Sequence, residues 1–321
     1  MSAAGKALSV VASGAPLDAA EMEGAMDAIL AGDASPVEIA GLAMALRMRG
    51  ETPVELAAAA RAMRRRAVPA PHGVEGPILD TCGTGGDGAH TFNVSTVSAL
   101  LVAAAGARVG KHGNRAVSSR AGSADVLEAL GVALDPGAER VSRDLRELGI
   151  AFFFAPAFHA ALRHAAPVRK ELGVRTFFNL LGPLASPAGA THQLVGVFDP
   201  NRVRTMAEVG GARPRRARRD LARGRHSGGA VTETELEPRD FGLEVVSLDA
   251  LAGGDAAENA ETVRAILDGE TGPRRTAVLL NAAAALVVAG IERDRLAARD
   301  RAAEAIDSGR AAALLSRWAA R

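Results

Sequence analysis

The first seventy residues carry three polar signals that predict helix starts. Each signal is a cap residue followed three positions later by a glutamate, the spacing of a capping box that satisfies the free amides of a first helical turn. Pro36 and Pro53 fit the first position of a helix, where a missing N–H costs nothing. Gly32 and Gly50 fit positions just after a helix end. The three pairs are Asp18 with Glu21, Ser35 with Glu38, and Thr52 with Glu55.

The second of these three predicted helices carries apolar residues at roughly helical spacing. They are Val37, Ile39, Ala40, Leu42, Ala43 and Leu46. One face of the helix is therefore apolar. A unit of three short helices does not bury such a face alone, so we expect it to pack on another domain or on a second copy of the chain.

The pattern changes after a Pro- and Gly-containing linker at residues 66–76. Short apolar runs at 77–80, 107–111 and 151–154 predict strands, and residues 95–105 and 123–130 predict helices between them. Further strands are predicted at 193–198, at 244–247 and near Val231, and Ala-rich helices from Ala256 onward. Strands that alternate with helices indicate an α/β fold with a mostly parallel central sheet. The expected fold is a small all-helical domain plus a large α/β domain.

The net charge, the cysteine content and the lengths of the apolar runs exclude several classes of function. The chain has 321 residues and a formal net charge of +1, so no overall field attracts nucleic acid or a membrane. Cys82 is the only cysteine, which excludes an intrachain disulfide and favours a reducing cytoplasm. The N-terminus lacks a signal pattern, and the apolar stretch at 276–291 is too short for a membrane span. We expect neither a membrane nor a nucleic-acid partner.

Residues 80–88 form a polar, glycine-rich loop between a predicted strand and a predicted helix. Four glycines stand in the six positions 83–88, and glycine lets backbone amides approach an anion closely. Ser95 and Thr96 fall at the start of the helix, where free amides and the helix dipole favour phosphate. A plain glycine-rich turn is the alternative. The loop is neither a P-loop nor a dinucleotide fingerprint.

A second polar loop follows the next predicted strand. It reads KHGNR at residues 111–115, with hydroxyls at Ser118, Ser119 and Ser123. In open parallel sheets, ligands bind outside the carboxyl ends of strands. A surface lysine at Lys111 and a structural histidine at His112 are the alternatives for each residue alone. Together the two loops predict one site for a polyanion such as a diphosphate.

These motifs make the chain resemble the anthranilate phosphoribosyltransferases over nearly its whole length. The matching segments are GTGGD at 83–87, NVST at 93–96, KHGNR at 111–115, GSADVLEALG at 122–131, VRKELGVRTFFNLLGPL at 168–184, ENA at 258–260, GP at 272–273 and NAA at 281–283. The family transfers a phosphoribosyl group from phosphoribosyl diphosphate (PRPP) to the amine of anthranilate, with Mg²⁺. The resemblance implies the same activity here, in tryptophan biosynthesis.

The resemblance also implies a domain layout and a homodimer. Residues 1–70 and 167–190 would form the small helical domain, and residues 71–166 and 191–321 the large PRPP-binding domain. The small domains of two copies would pair.

Site residues carried over from the resemblance form three groups. PRPP would be held by Gly83, Gly86, Asp87, Thr91, Asn93, Val94, Ser95, Thr96, Lys111, Ser119 and Ser123. Asn114 and Arg169 would hold anthranilate, with Gly83, His112, His159 and Pro183 nearby. Ser95 would also contact Mg²⁺. No residue is assigned as a general acid or base.

Residues 210–228 depart from the family, which places there an apolar strand and a metal-binding Asp-Glu pair. Seven arginines occupy these nineteen positions, no Asp-Glu dipeptide occurs anywhere in the chain, and the segment is about fifteen residues short of the family layout. Unpaired arginines are too costly to desolvate for a buried strand. Three explanations stay open: a compensated frameshift, a solvated basic loop, or a patch for an acidic or nucleic-acid partner.

Two alternatives to an active transferase follow. Without the Asp-Glu pair the chain could bind PRPP but use metal weakly, or bind ligand without turnover. A pyrimidine nucleoside phosphorylase shares the architecture, but KHGNR and the segment around Arg169 favour the transferase.

Overall fold

A computed structural model gives the fold and describes residues 1–85, 88, 90–116, 120–211, 225–227 and 230–321. Four helices fill the first 65 residues. They are α1 (Ala3–Ala12), α2 (Ala19–Ala31), α3 (Pro36–Arg49) and α4 (Pro53–Arg65). The three predicted capping boxes are present at the starts of α2, α3 and α4, and both prolines occupy the predicted position. Gly32, which follows α2, adopts φ 84°, a left-handed conformation that suits glycine.

The first helix, α1, is absent from the sequence prediction. Ser2 caps it through a single bond from the amide of Gly5, without the glutamate that marks the other three. Helix α1 packs on α2 and α3. It therefore covers part of the apolar face of α3, where Ile39, Leu42 and Leu46 are buried. Val37 was expected on that face but is 78% exposed, because it lies on the side of the helix opposite the buried stripe.

Residues from later in the chain complete this helical core. Helices α9 (Ala166–Leu172) and α10 (Phe177–Leu184) contribute Val168, Phe177 and Leu181 to the same buried cluster as α2, α3 and α4. Helix α11 (Val203–Gly211) adds Met206 and Val209. The face that the first helices leave open is thus closed from within the same chain.

The remainder of the chain is built around a parallel sheet. Its described strands run in the order β3-β2-β1-β4, and every neighbouring pair is parallel. The strands are β1 (Ile78–Asp80), β2 (Arg108–Gly113), β3 (Ile150–Phe154) and β4 (His192–Gln193). This confirms the predicted α/β class and the first three predicted strands.

Helices cover the sheet and form most of the larger core. Helix α5 (Val94–Ala104) is almost entirely buried between the sheet and the C-terminal helices. The others are α6 (Ser123–Ala129), α7 (Ala138–Glu147), α8 (Ala155–Phe158), α12 (Ala256–Leu267), α13 (Pro273–Val288), α14 (Arg295–Asp307) and α15 (Arg310–Ala319). Short 3₁₀ turns lie at Ala160–His164, Pro200–Arg202, Pro238–Phe241 and Asp249–Leu251. None of the described helices is long and apolar enough to cross a membrane.

Two strand predictions are wrong or too long. Residues 244–247 form no strand, because no described strand lies beside them; Val246 packs on the larger core while Val245 is 66% exposed. The strand expected at 193–198 shrinks to β4. Beyond it the carbonyl of Gly196 bonds to the amide of Thr84, which belongs to the glycine-rich loop rather than to a strand. Val231 does lie in a strand, β6 (Ala230–Thr232), which pairs antiparallel with β5 (Arg225–Ser227).

Candidate functional site at the carboxyl edge of the sheet

The two predicted polar loops meet at one edge of the sheet. Strands β1 and β2 are adjacent and parallel, so the loops that follow them start side by side. One carboxylate oxygen of Asp80, at the end of β1, accepts the amide N–H of Cys82 at 3.0 Å and the amide N–H of His112 at 3.1 Å. Asp80 is fully buried and ties the start of the first loop to the start of the second. The convergence predicted for a polyanion site is confirmed.

Lys111 places a positive charge between the loops. Its ammonium lies 3.4 Å from the hydroxyl of Thr81 and 3.2 Å from the hydroxyl of Ser95. The side chain is 2% exposed, so it is not the surface lysine of the alternative interpretation. Burial lowers the pKa of Lys111, because the charged form is poorly solvated there. A bound anion would compensate for the hydration that the Lys111 ammonium has lost.

Asp80, Cys82 and a ring nitrogen of His112 lie within 4.8 Å of one another, a group that could in principle hold a metal. Its chemistry does not favour one. Burial raises the pKa of the Cys82 thiol to about 12, and only the thiolate binds metal well. The ammonium of Lys111 also lies close enough to act on both the carboxylate and the thiol. We assign the group a structural role.

Gly83 is a glycine for reasons of space. A Cβ atom at this position would lie 2.9 Å from the carbonyl oxygen of Gly196, closer than such contacts occur. The same carbonyl accepts the amide of Thr84 at 2.9 Å, and the Thr84 hydroxyl accepts the amide of Phe198 at 3.3 Å. The first loop is therefore fastened to the segment after β4.

The start of helix α5 faces this loop. Val94 is the first helical residue and packs on the larger core, while the Ser95 carbonyl accepts the Thr81 hydroxyl at 3.2 Å. Thr96 was predicted as a phosphate ligand, yet its hydroxyl is buried and has no hydrogen-bond partner among the described residues. Thr91 is half-buried and forms an isolated bridge with Ala252.

Asn93, the residue before α5, is half-buried and joined to two other segments. Its amide nitrogen donates to the carbonyl of Ala121 at 3.2 Å, and its amide oxygen accepts from Asn259 at 3.0 Å. Asn259 was not predicted as a site residue. It lies 166 residues from Asn93 in the chain, and no local pattern could have shown the contact.

The second loop is anchored by Asp125 on helix α6. One carboxylate oxygen accepts the amides of Ala116 and Gly122, both at 2.8 Å, and the other accepts Arg115 at 3.0 Å. Burial opposes ionisation, but these bonds outweigh it and lower the pKa of Asp125. Arg115 also bonds Glu128. Both described ends of the loop are thus held by one side chain.

Asn114 and Ser123 lie at the rim of the second loop. Asn114 is exposed. Its backbone carbonyl accepts the amide of Ala124 at 3.2 Å and the hydroxyl of Ser123 at 3.5 Å. A Cβ atom on Gly113 would lie 2.2 Å from the Ser123 hydroxyl, so glycine is required for this close approach.

The C-terminal end of helix α10 builds the wall beside His112. Carbonyls at a helix end lack partners within the helix. Here they are taken by side chains: His112 Nδ1 bonds the Gly182 carbonyl at 2.9 Å, His159 Nε2 bonds the Ala185 carbonyl at 3.0 Å, and Gln193 bonds the Pro183 carbonyl. A carbonyl only accepts, so each bonded ring nitrogen carries the proton.

The two histidines are neighbours, with ring centroids 5.3 Å apart. Burial, together with the nearby His112, lowers the pKa of His159 to about 3 despite its carbonyl bond. His159 is therefore neutral at physiological pH. It orders the wall, and the one proton of the neutral ring is held by the bond to the Ala185 carbonyl.

Arg169 lies on α9 above the ring of Phe178 on α10, 5.4 Å from the ring centroid. Within the described part of the chain it forms no ion pair, and burial lowers its pKa. Because α10 carries both Phe178 and the carbonyls that hold the histidines, Arg169 and His112 line the same wall. A half-buried guanidinium without a carboxylate suits an acidic ligand.

Some predicted residues lie outside the described part of the chain: Gly86, Asp87, Ser119 and most of the arginine-rich stretch, residues 212–224 and 228. Reasoning from the sequence placed Asp80 and Thr81 in the glycine-rich loop at 80–88 but gave them no role in the site. It gave no signal for Gly196.

Comparison with known proteins agrees with this architecture. The profile "Glycosyl transferase family, helical bundle domain" matches residues 6–67, and "Glycosyl transferase family, a/b domain" matches residues 75–218 and 212–312. The two stretches of the second match overlap at residues 212–218, inside the arginine-rich segment.

Individual relatives are similar over nearly their full length. An anthranilate phosphoribosyltransferase from Myxococcus xanthus (strain DK1622) is 50% identical over 313 residues, which cover 92% of both chains. The crystal structure of the enzyme of that name from Thermus thermophilus superimposes with a TM-score of 0.88 at 45% identity, over 98% of both chains. The Saccharomyces cerevisiae enzyme in complex with PRPP and Mg gives a TM-score of 0.85 at 26% identity, over 98% of this chain and 96% of that one. From its sequence and its fold alike, this chain belongs to the anthranilate phosphoribosyltransferase family.

Proposed function

We propose that this chain transfers the phosphoribosyl group of PRPP to the amine of anthranilate, giving N-(5-phosphoribosyl)anthranilate and diphosphate. The observation that carries the proposal is the buried ammonium of Lys111, 3.2 Å from the Ser95 hydroxyl at the start of α5. A desolvated cation, a helix start and two backbone loops fit a polyanion better than they fit a neutral ligand.

The chemistry of the donor follows from charge. Breaking the bond between the ribose C1 and the diphosphate leaves positive charge on the sugar and negative charge on the leaving group. Lys111 and the loop amides stabilise the leaving group without any proton transfer. Asp80 supports this indirectly, because it holds both loops in register through the amides of Cys82 and His112.

The chemistry of the acceptor needs little acid–base help. The amine of anthranilate is neutral at pH 7, so it attacks without prior deprotonation, and positioning supplies much of the acceleration. Arg169 binds the carboxylate of anthranilate in this proposal, and Asn114, at the rim of the second loop, also contacts anthranilate. We assign no general acid or base, and the low pKa of His159 supports that choice.

Mg²⁺ binding is part of the proposal because an enzyme of this name is solved with Mg and PRPP. The described donors fit an ion that takes most of its ligands from substrate phosphates and water, as Mg²⁺ commonly does. Ser95 would supply one hydroxyl oxygen. When bound, the ion would neutralise charge on the departing diphosphate. In this proposal Asp80 positions the loops and is not a ligand, because it is fully buried and one of its oxygens holds the amides of Cys82 and His112.

The decisive experiment follows anthranilate fluorescence with PRPP and Mg²⁺. Fluorescence should fall on turnover, and no fall with folded protein would refute the activity. A Mg²⁺ titration of the rate addresses the missing Asp-Glu pair: we expect a weaker affinity for the ion than in relatives that have the pair. A normal affinity for Mg²⁺ would show that the pair is dispensable or that the recorded sequence is shifted there. Tight PRPP binding without turnover would favour a non-catalytic descendant.

Assembly and location complete the proposal. Residues 1–70 and 167–190 would act as one helical domain and pair with the same domain of a second copy. Exposed apolar side chains on α3 and α4 support this: Val37 is 78%, Met48 79% and Val54 52% exposed. Sedimentation equilibrium distinguishes dimer from monomer, and Met48→Glu should favour the monomer. The single cysteine, Cys82, fits a cytoplasmic enzyme.

A further inference from the structure

We propose that Asn259 is a positioning residue for the donor site: it sets the orientation of the Asn93 side chain and keeps that side chain off the start of helix α5. The inference rests on the proposed function, since it concerns the residues that would hold PRPP. Asn259 itself touches no proposed ligand atom and would act only through Asn93.

The contacts of Asn259 fix the direction of its own amide. The residue lies on α12 and is 2% exposed. Its oxygen accepts the backbone N–H of Gly254 at 2.8 Å, and a backbone N–H can only donate. The amide nitrogen of Asn259 must therefore point the other way, where it donates to Asn93 at 3.0 Å and to the Gly254 carbonyl at 3.3 Å.

That direction dictates the orientation of Asn93. A donor from Asn259 requires the oxygen of the Asn93 amide, so the nitrogen of Asn93 must face the opposite side. There it donates to the carbonyl of Ala121 at 3.2 Å. A single polar relay thus runs from the turn before α12, through Asn93, to the second loop near Ser123.

Because of these bonds, the Asn93 side chain does not cap helix α5, as an asparagine at this position usually does. Asn is among the preferred helix caps because its side chain accepts an amide of the first turn. Asn93 occupies the cap position of α5, yet its side chain makes no capping bond. The side chain therefore covers none of the first amides of α5. The Val94 and Thr96 amides donate to the backbone carbonyls of Phe92 and Asn93 at 2.7 and 2.9 Å, and the Ser95 amide has no hydrogen-bond partner among the described residues.

Backbone contacts also hold the turn before α12, independently of the Asn259 side chain. The turn before α12 is docked on residues 90–92 by backbone contacts: the Gly253 amide donates to the His90 carbonyl at 2.8 Å, and the Phe92 amide donates to the Leu251 carbonyl at 3.0 Å. A Cβ atom on Gly253 would lie 2.6 Å from the Phe92 nitrogen, so the two segments are in close contact. The side-chain relay is additional to this docking.

The test is a double-mutant cycle read as PRPP binding. The full-length protein, Asn259→Asp, Asn93→Ala and the double variant are titrated with PRPP and Mg²⁺ by calorimetry. Asn259→Asp keeps an acceptor for the Gly254 amide but loses the donor to Asn93 and to the Gly254 carbonyl. We expect a rise of about tenfold in the Kd for PRPP, the scale of one lost hydrogen bond in a binding site. The KM for anthranilate should stay close to wild type, whereas the melting temperature should fall, because residue 259 is buried and loses both donated bonds.

If Asn259 acts through Asn93, the double variant should bind PRPP no worse than Asn93→Ala alone. Independent effects that multiply would overturn the inference, as would wild-type affinity in Asn259→Asp. Asn281→Asp is the matched control, because among the residues that the structure describes Asn281 bonds only the Ala277 carbonyl of its own helix. Should Asn259→Asp fold poorly, Asn259→Ala replaces it in the same cycle. A wild-type chain that binds no PRPP would instead overturn the proposed function, and this assignment with it.

Discussion

Arg169→Met tests whether the Arg169 guanidinium contributes to anthranilate binding rather than to the stability of the fold. The substitution keeps an unbranched apolar stem that can still lie over Phe178 but removes the guanidinium. Arg169 forms no ion pair within the described residues, and burial lowers its pKa, so the folded protein bears an uncompensated charge there. The variant should lose affinity for the acidic acceptor without losing stability.

The magnitude follows from the geometry. A guanidinium and a carboxylate about 4 Å apart interact by about 4 kcal/mol at an effective dielectric constant of about 20. Part of this is offset by desolvation, which leaves about 2–3 kcal/mol, a rise of roughly 30- to 150-fold in the KM for anthranilate. The contact with the Phe178 ring contributes about 0.5–1 kcal/mol, which relief of the buried charge offsets. The melting temperature should therefore not fall by more than about 2–4 °C.

The assay combines anthranilate fluorescence at saturating PRPP with thermal unfolding. Lys170→Met is the matched control, since Lys170 is the next residue on the same helix and is exposed. The KM for PRPP should change little in either variant. An unchanged KM for anthranilate in Arg169→Met would refute the acceptor assignment. A large loss of stability would show that the guanidinium has a structural partner instead.

Three further predictions concern the donor side. Lys111→Met should raise the Kd for PRPP by about thirtyfold or more, measured by calorimetry, since a buried charged contact contributes about 2–5 kcal/mol; wild-type affinity would exclude Lys111 from the site. Gly83→Ala should lower kcat/KM for PRPP with an unchanged circular dichroism spectrum, because the new Cβ would meet the Gly196 carbonyl at 2.9 Å; normal kinetics would mean that the loop can shift freely. Asp125→Asn should lower the free energy of unfolding at neutral pH. The pKa of Asp125 is depressed from 3.8, so its contribution is full above about pH 3.8 and is lost as pH falls through the folded value. Denaturant unfolding at pH 7 and pH 3 should show the gap between wild type and variant closing at the lower pH.

Local signals in the sequence were enough for much of this molecule. The capping boxes of α2, α3 and α4 depend on pairs three residues apart, and each forms as predicted. The convergence of the two polar loops follows from one general property of parallel sheets. Helix α1 was missed because only Ser2 marks its start.

What the sequence could not show depends on contacts between distant segments. Nothing near residue 193 indicates that β4 ends after two residues, because that end is set by the Thr84 amide more than a hundred residues earlier. The run at 244–247 contains two β-branched valines but has no neighbouring strand to pair with among the described residues. The roles proposed for Asn259 and Arg169 likewise depend on contacts with side chains of other segments, Asn93 and Phe178.

The shared carboxylate of Asp80 has a consequence for redesign. A single oxygen holds the amides of Cys82 and His112, which lead into the two polar loops. Variants that change one loop to accept a new substrate are therefore constrained by the other loop, because the same oxygen atom fixes where both loops begin. Selection for altered acceptor range should keep aspartate at position 80 even where the flanking residues change freely.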